Sequence, residues 1–252
     1  MGRSKSFDAS GDGYGRGEGF VTAILQQIDL VRGPSRAART ILGSAVNHAG
    51  RSGGLTAPNG PAQAALIKRA LVSGRVESSS VLQLSVHGTG TPLGDPIEVG
   101  ALAQVFQGHL SSVATVRTLV SNKSCYGHTE GAAGLTGLLL SACLVEKCSA
   151  PGIMHLRNVN PYVQAALSDW NSRGRSVAFV PRENATAAGT GGISGSSSFG
   201  MSGVNAHMLL SCPLDFADPC HPQVGVCTCP HISGLHLRWE CSAFPDSLNR
   251  VN

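Results

Sequence analysis

The sequence predicts a layered α/β fold, and three observations carry that prediction. Short apolar, strand-like runs alternate with helix-like runs along most of the chain. Glycine is abundant, at 32 of 252 residues, and charged residues make up only 13%, as suits a largely buried body with many tight turns. Hydrophobic residues reach 42%, enough for a real core in one large domain or two small ones.

The elements follow in order. The run 19–25 is a strand candidate behind the turn-rich segment 12–17. A second apolar run, 40–46, ends in a Gly-rich loop from Gly50 to Gly60. Pro61 then suits the first turn of a helix running through Ala64, Leu66, Ile67 and Leu71. Residues 81–86 read as a strand feeding His87. Asp95 and Pro96 read as a helix start, Asp95 capping and Glu98 completing a capping box ahead of 99–106. Residues 116–120 form the next strand, feeding His128. The small residues 131–134 open a helix with aliphatic residues all round, as expected between layers. Residues 176–180 are a strand, the Gly/Ser-rich stretch 189–198 leads into a loop at 199–207, and 208–211 close as a short strand.

Composition changes after Ser211. The last 41 residues hold five of the eight cysteines and lack helical or strand periodicity, so 1–211 reads as the folded domain and 212–252 as a separate Cys-rich tail. Cys220, Cys227, Cys229 and Cys241 lack the paired spacing of a zinc site, and the tail reads as an unstructured extension without metal. The net charge of +4 is modest and has no Lys/Arg clusters of the kind nucleic-acid binding requires. The polar N-terminus lacks the apolar core of a signal peptide, and the run 134–145 is too short to cross a bilayer. A cytoplasmic protein with thiols rather than disulfides is the resulting expectation.

Two histidines carry the chemical signal: His87 in His-Gly-Thr-Gly-Thr-Pro-Leu-Gly-Asp-Pro and His128 in Lys-Ser-Cys-Tyr-Gly-His. Each follows a strand-like run, which places each ring where a strand gives way to a loop. Two neutral imidazoles aimed at one carbonyl oxygen can stabilise an enolate. Either ring alone reads as a structural histidine in a polar turn.

These motifs, with Phe7-Asp8-Ala9-Ser10, Asp12-Gly13-Tyr14, Arg16-Gly17-Glu18-Gly19, the loop 54–61 and the segment Phe199–His207, together resemble a β-ketoacyl synthase. The match is closest to the ketosynthase domain of type I-like polyketide and fatty acid synthases. The motifs occur in the family's order and span residues 2 to about 211. The resemblance implies a thiolase-like αβαβα sandwich, here the second half plus the end of the first. The family's nucleophilic cysteine, in a Thr-Ala-Cys-Ser-Ser type motif, would lie upstream of Phe7, and no such motif occurs in the sequence. The expectation is therefore an N-terminally truncated domain, inactive in condensation on its own.

The resemblance further implies decarboxylative Claisen condensation of acyl and malonyl thioesters. No bound cofactor is expected; the phosphopantetheine arm of an acyl carrier protein delivers the substrate. The implied partners are the carrier protein, the two thioesters and, in the complete domain, a second copy. His87 and His128 would donate to the malonyl thioester oxygen, Lys123 would organise the site, Thr89 and Thr91 would bond the pantetheine arm, and Phe199 would contact substrate. The backbone N–H of Met201 would supply half of an oxyanion hole. Alternatives are a malonyl decarboxylase, or a non-catalytic fragment that binds a carrier protein or pairs with a complete ketosynthase. Three departures from the family pattern stand out: Cys125 where Asn is usual, Tyr126 where an aliphatic residue is usual, and Met201 where Phe is common. Nothing marks Cys125 as a substitute nucleophile, and Cys143 is expected to be buried as a small hydrophobe.

Overall fold

The computed structural model describes residues 2–27, 39–50, 58–107, 115–173, 176–186, 192–212 and 235–238. The Gly-rich residues 51–57, and the Cys-rich tail apart from Cys212 and the backbone of 235–238, lie outside the described residues.

An eight-stranded mixed sheet organises the molecule. Its strands are β1 (Ile24–Gln27), β2 (Arg39–His48), β3 (Val81–Ser85), β4 (Thr115–Val120), β6 (Ser176–Phe179), β8 (Ile193–Phe199), β9 (Val204–Ser211) and β10 (Leu235–Arg238). A separate two-stranded ribbon pairs β5 (Ser149–Ala150) with β7 (Ala185–Thr186). The order is β1-β10-β2-β9-β8-β3-β4-β6. The β8-β3-β4-β6 half is parallel, and β2, β9 and β8 are antiparallel neighbours. Parallel strands need crossover helices, which the chain supplies as α1 (Gly60–Gly74), α2 (Gly94–Phe106), α4 (Ala133–Lys147) and α5 (Pro161–Ser172). The first, second and fifth pack together on one face of the sheet; α4 covers β3, β8 and β9 on the other. The chain thus builds three layers of a thiolase-like sandwich.

Local chemistry explains the elements. Asn59 caps α1 by accepting the Ala62 N–H at 3.0 Å, and Pro61 sits at the helix start where no amide is needed. Gly43 lets α1 close on β2, since a Cβ there would lie 2.5 Å from the Gly74 nitrogen. The main core stacks Phe106 on Trp170, with centroids 6.3 Å apart, beneath Leu84, Leu102 and Leu119. Fully buried side chains of this size stabilise by about 1.5–3 kcal/mol each. Arg117 is buried among them, over the Phe106 ring, donating to the Ser78 carbonyl and to the Ser176 hydroxyl.

Several expectations need correction. The first strand is Ile24–Gln27, and 19–23 stay unpaired. The Gly/Ser-rich stretch 189–198, in which the sequence predicts no strand, contains most of β8, a central strand of the sheet. The last strand of the expected domain begins at Val204, four residues early, because it pairs with β8 along its whole length. Helix α5, absent from the elements the sequence predicts, is opened by Asn160 capping the Tyr162 N–H and by Pro161. Cys143 is exposed, because α4 turns that side away from the sheet.

Candidate active site

The sheet ends its β3 and β4 strands side by side, and the loops that follow carry the two histidines. His87 and His128 meet edge to face, with ring centroids 5.4 Å apart and planes at 83°. Both line a cleft of about 590 Å³ shared with Tyr14, His48, Thr89, Thr91, Phe199 and Met201.

The His87 loop is held by buried carboxylates. Glu98 accepts the N–H groups of His87 and Gly88 at 2.8 and 2.9 Å. Asp95 accepts the Gly90 N–H at 3.0 Å and the Phe7 N–H at 2.7 Å. The expected capping box is therefore absent: α2 begins at Gly94 behind Leu93, with no side-chain cap, and both acids turn back to the loop. Gly90 adopts φ +82, and a Cβ there would strike the Lys5 backbone nitrogen at 2.8 Å, so the tight loop requires glycine.

The His128 loop is held by the N-terminal segment. The His128 N–H donates to the Gly15 carbonyl at 2.7 Å and its own carbonyl accepts the Gly17 N–H at 2.9 Å. Tyr14 leans on the ring at 4.8 Å between centroids. Gly17 has no room for a side chain, because a Cβ would lie 1.9 Å from the Tyr126 carbonyl oxygen.

Backbone donors fix the tautomers. The Glu130 N–H donates to Nδ1 of His128 at 2.9 Å, and the Phe199 N–H donates to Nδ1 of His87 at 3.4 Å. A ring nitrogen that accepts a backbone proton carries none itself, so each neutral ring holds its proton on Nε2. Burial, then the charge of Lys123, then His128 push the His87 pKa well below its ordinary value. Burial and Lys123 lower that of His128 as well. Both rings are thus neutral donors near pH 7.

Lys123 sits at the start of a single helical turn, α3 (Lys123–Tyr126), and is buried. Burial lowers its pKa, opposed by the charges of Glu98 and Asp95. Burial raises Asp95 to about 6 and also raises Glu98, against the amides each accepts. Thr89 and Thr91 pair their hydroxyls at 3.1 Å on the cleft wall. Phe199 tilts over His87 at 5.5 Å between centroids. Met201 is exposed at the tip of the turn between β8 and β9. His87, His128, Thr89, Thr91, Phe199 and Met201 therefore border one cleft, and Lys123 is buried outside its lining. Cys125 is exposed and touches Ser124 at 3.9 Å. Among the described residues no group of three or more His, Cys, Asp or Glu is arranged to hold a metal. Among the described residues, no helix is long and apolar enough to cross a membrane.

The anchoring roles of Asp95 and Glu98 and the place of His48 escaped sequence reasoning. A usable signal existed for the acids: two carboxylates one helical turn apart, directly after a Gly-rich loop with orphan amides.

Residues 38–157 match the β-ketoacyl synthase C-terminal domain. Over 219 residues the chain is 40% identical to a phenolphthiocerol/phthiocerol polyketide synthase of Mycobacterium tuberculosis, covering 83% of this chain and 9% of that protein. A PKS-NRPS hybrid synthetase of Aspergillus niger is 37% identical over 214 residues, 84% of this chain and 11% of its own length. The chain thus spans about a tenth of the curated relatives it matches. Among solved structures, the oxazolomycin ketosynthase domain KS7 of Streptomyces albus superposes with a TM-score of 0.65 at 28% identity, over 83% of this chain and 36% of its own. Ketosynthase twelve of the bacillaene polyketide synthase of Bacillus amyloliquefaciens gives 0.66 at 27% identity, over 84% and 37%. Fold, motif order and these likenesses agree: the chain carries the C-terminal portion of a ketosynthase domain of the β-ketoacyl synthase family.

Proposed function

We propose that this chain supplies the carbanion-forming side of a condensing site in polyketide assembly, acting on a malonyl thioester carried on the phosphopantetheine arm of an acyl carrier protein. The observation that carries the reading is the pair of imidazoles in one cleft, both with Nδ1 occupied by a backbone N–H and Nε2–H free to donate. The bond from the malonyl methylene to its carboxylate breaks, carbon dioxide leaves, and the electron pair moves into the thioester as an enolate. The two Nε2–H groups donate to the oxygen where that charge collects, and no proton needs to move. The enolate carbon then attacks the carbonyl of an acyl thioester, forming the new carbon–carbon bond and expelling the acyl group's thiolate. The Met201 N–H is one donor to the acyl oxygen as it becomes tetrahedral. Burial keeps both rings neutral, with the positive charge of Lys123 reinforcing it. Thr89 and Thr91 hold the pantetheine arm, and Phe199 packs beside the substrate.

No Thr-Ala-Cys-Ser-Ser type motif occurs in the sequence, which favours a second reading of the isolated chain as a malonyl decarboxylase, in which solvent water protonates the enolate carbon to give the acetyl thioester. On both readings the chain alone forms no condensation product. The test is incubation with malonyl-pantetheine, following carbon dioxide and coupled product separately. The expected result is release without product, falling ~10²–10³-fold in His87→Ala as one preorganised donor is lost. Release unaffected by His87→Ala would refute the enolate assignment, and no release at all would favour a carrier-protein-binding or ketosynthase-pairing role. The segment 212–252 is proposed to be a separate tail, although the backbone of 235–238 pairs between β1 and β2.

A further inference from the structure

Residue 48 lies in none of the motifs that carry the family likeness, yet its ring borders the cleft beside the Met201 turn. The turn joins β8 to β9 and is closed at its base, where the Gly203 N–H donates to the Gly200 carbonyl at 2.9 Å and the Gly200 N–H to the Val204 carbonyl at 2.6 Å. These bonds fix its ends and leave the Met201–Ser202 tip exposed. From the neighbouring strand β2, His48 reaches across to that tip: its Nε2 lies 3.0 Å from the Ser202 carbonyl oxygen. The direction of this bond is set on the other side of the ring. The Gly50 N–H donates to Nδ1 at 3.0 Å, so Nδ1 bears a lone pair, the proton sits on Nε2, and His48 donates to Ser202. The ring also packs on the turn. Gly203 holds φ +96, and a Cβ there would meet the His48 Cε1 at 3.0 Å. Next along the chain, the Ala49 N–H donates to the Gly203 carbonyl at 2.7 Å.

We propose that His48 is a positioning residue that locks the β8–β9 turn and so aims the Met201 amide into the cleft. The value of that amide as a donor rests on the reading given above, but the locking does not. An amide can stabilise developing charge only if it is already oriented when the charge appears, because reorientation during the reaction consumes the gain. Bonds at the base of the turn leave the tip free to pivot; the imidazole removes that freedom. A glutamine at 48 could bring its amide N–H to the same carbonyl, whereas alanine could not.

The test uses the full chain labelled with nitrogen-15, comparing wild type, His48→Ala and His48→Gln. The order parameter of the Met201 N–H should be that of a rigid backbone in wild type, near ~0.85, fall below ~0.6 in His48→Ala, and return in His48→Gln. Exchange of the Gly203 amide should quicken at least ~10-fold in His48→Ala, as expected if about 1.4 kcal/mol of local stability is lost. A rigid Met201 amide in His48→Ala would overturn the proposal; so would a His48→Gln protein as mobile as the alanine variant, since ring packing rather than the donated bond would then be responsible. Addition of hexanoyl-pantetheine separates the two ideas. A shift of the wild-type Met201 amide supports its place at the acyl oxygen, and its absence, with the His48 effects intact, refutes that place alone.

Discussion

Replacing Glu98 by glutamine isolates the charge that holds the His87 loop. The carboxylate is buried and both its oxygens are committed, to the His87 N–H at 2.8 Å and the Gly88 N–H at 2.9 Å. Glutamine keeps the shape and one carbonyl oxygen, but its NH₂ then faces a backbone donor. One charge-assisted bond worth about 1.5–3 kcal/mol is lost and one buried N–H is left unsatisfied, at a further ~1–3 kcal/mol. Two effects modify that sum. A neutral amide escapes the desolvation that raises the Glu98 pKa, which returns part of the loss. Lys123 loses an opposing charge that favours its protonated form, which adds to it. The expected net is a loss of about 2–4 kcal/mol, or roughly 5–15 °C in Tm for a domain of this size. Urea titration followed by circular dichroism measures the first figure and amide exchange at His87 and Gly88 locates it. A loss under ~0.5 kcal/mol, the range of an ordinary surface substitution, would refute the claim that this charge anchors the loop.

Asp95→Asn tests the second acid through pH. Burial raises the Asp95 pKa from 3.8 to about 6, so the native state holds a proton that the unfolded state releases. That contribution is fully present well below about 3.8 and is lost as pH rises through about 6, so from pH 4 to 7 the wild type should lose about 2 kcal/mol relative to Asp95→Asn. Urea midpoints at each pH check it, and parallel profiles would refute it. Gly90→Ala should destabilise by more than about 2 kcal/mol, since it combines a left-handed φ with a clash against the Lys5 backbone. Gly100→Ala, inside α2 with open space around it, should instead stabilise by about 0.5–1 kcal/mol. Thermal melts check both: a Gly90→Ala protein that melts no lower than wild type would refute the first statement, and a Gly100→Ala protein that melts lower would refute the second.

Much of the architecture was legible because apolar periodicity reports burial. The strands at 81–85, 115–120 and 176–179 and the helix opened by Asn59-Gly60-Pro61 lie where pattern and capping residues place them. The failures have separate causes, and the first is side chains that serve tertiary contacts while mimicking a local signal. Asp95 and Glu98 have capping-box spacing, but the amides of the His87 loop outcompete the helix end. Strand β8 goes unread because it is mostly Ser and Gly, yet small residues are what its crowded position demands. A Cβ on Gly195 would meet the His207 ring and Leu84 at 2.9 Å, and α4 lays Gly134 and Gly137 against Ser198 and Ser196. Cys143 departs from its expected burial because α4 is apolar all round while only one side meets the sheet. Helix α5 goes unread although Asn160-Pro161 starts it and Val163, Leu167 and Trp170 trace its buried face.

The site's motifs also explain one another. The two histidine loops leave the paired strands β3 and β4, and the Ser121 hydroxyl of one donates to the Gly88 carbonyl of the other at 3.0 Å. The N-terminal segment adds a second tie between them. The Ser6 hydroxyl donates to the Gly88 carbonyl at 2.6 Å and the Gly13 N–H to the Gly90 carbonyl at 3.2 Å, fastening this segment to the His87 loop. A few residues later Gly15 and Gly17 bracket His128 through its own N–H and carbonyl. The stretch 6–17 is therefore a splint spanning both loops. Close backbone approaches account for Gly11, Gly15 and Gly17, as at Gly11, where a Cβ would lie 2.8 Å from the Gly90 carbonyl oxygen, while Gly13 is set by its φ of +139. Asp8 secures the splint from behind by accepting the N–H groups of Arg157 and Asn158. The 5.4 Å separation between the rings is thus fixed jointly by the paired strands, by the Ser121–Gly88 bond and by a segment some 70 to 120 positions away in the chain.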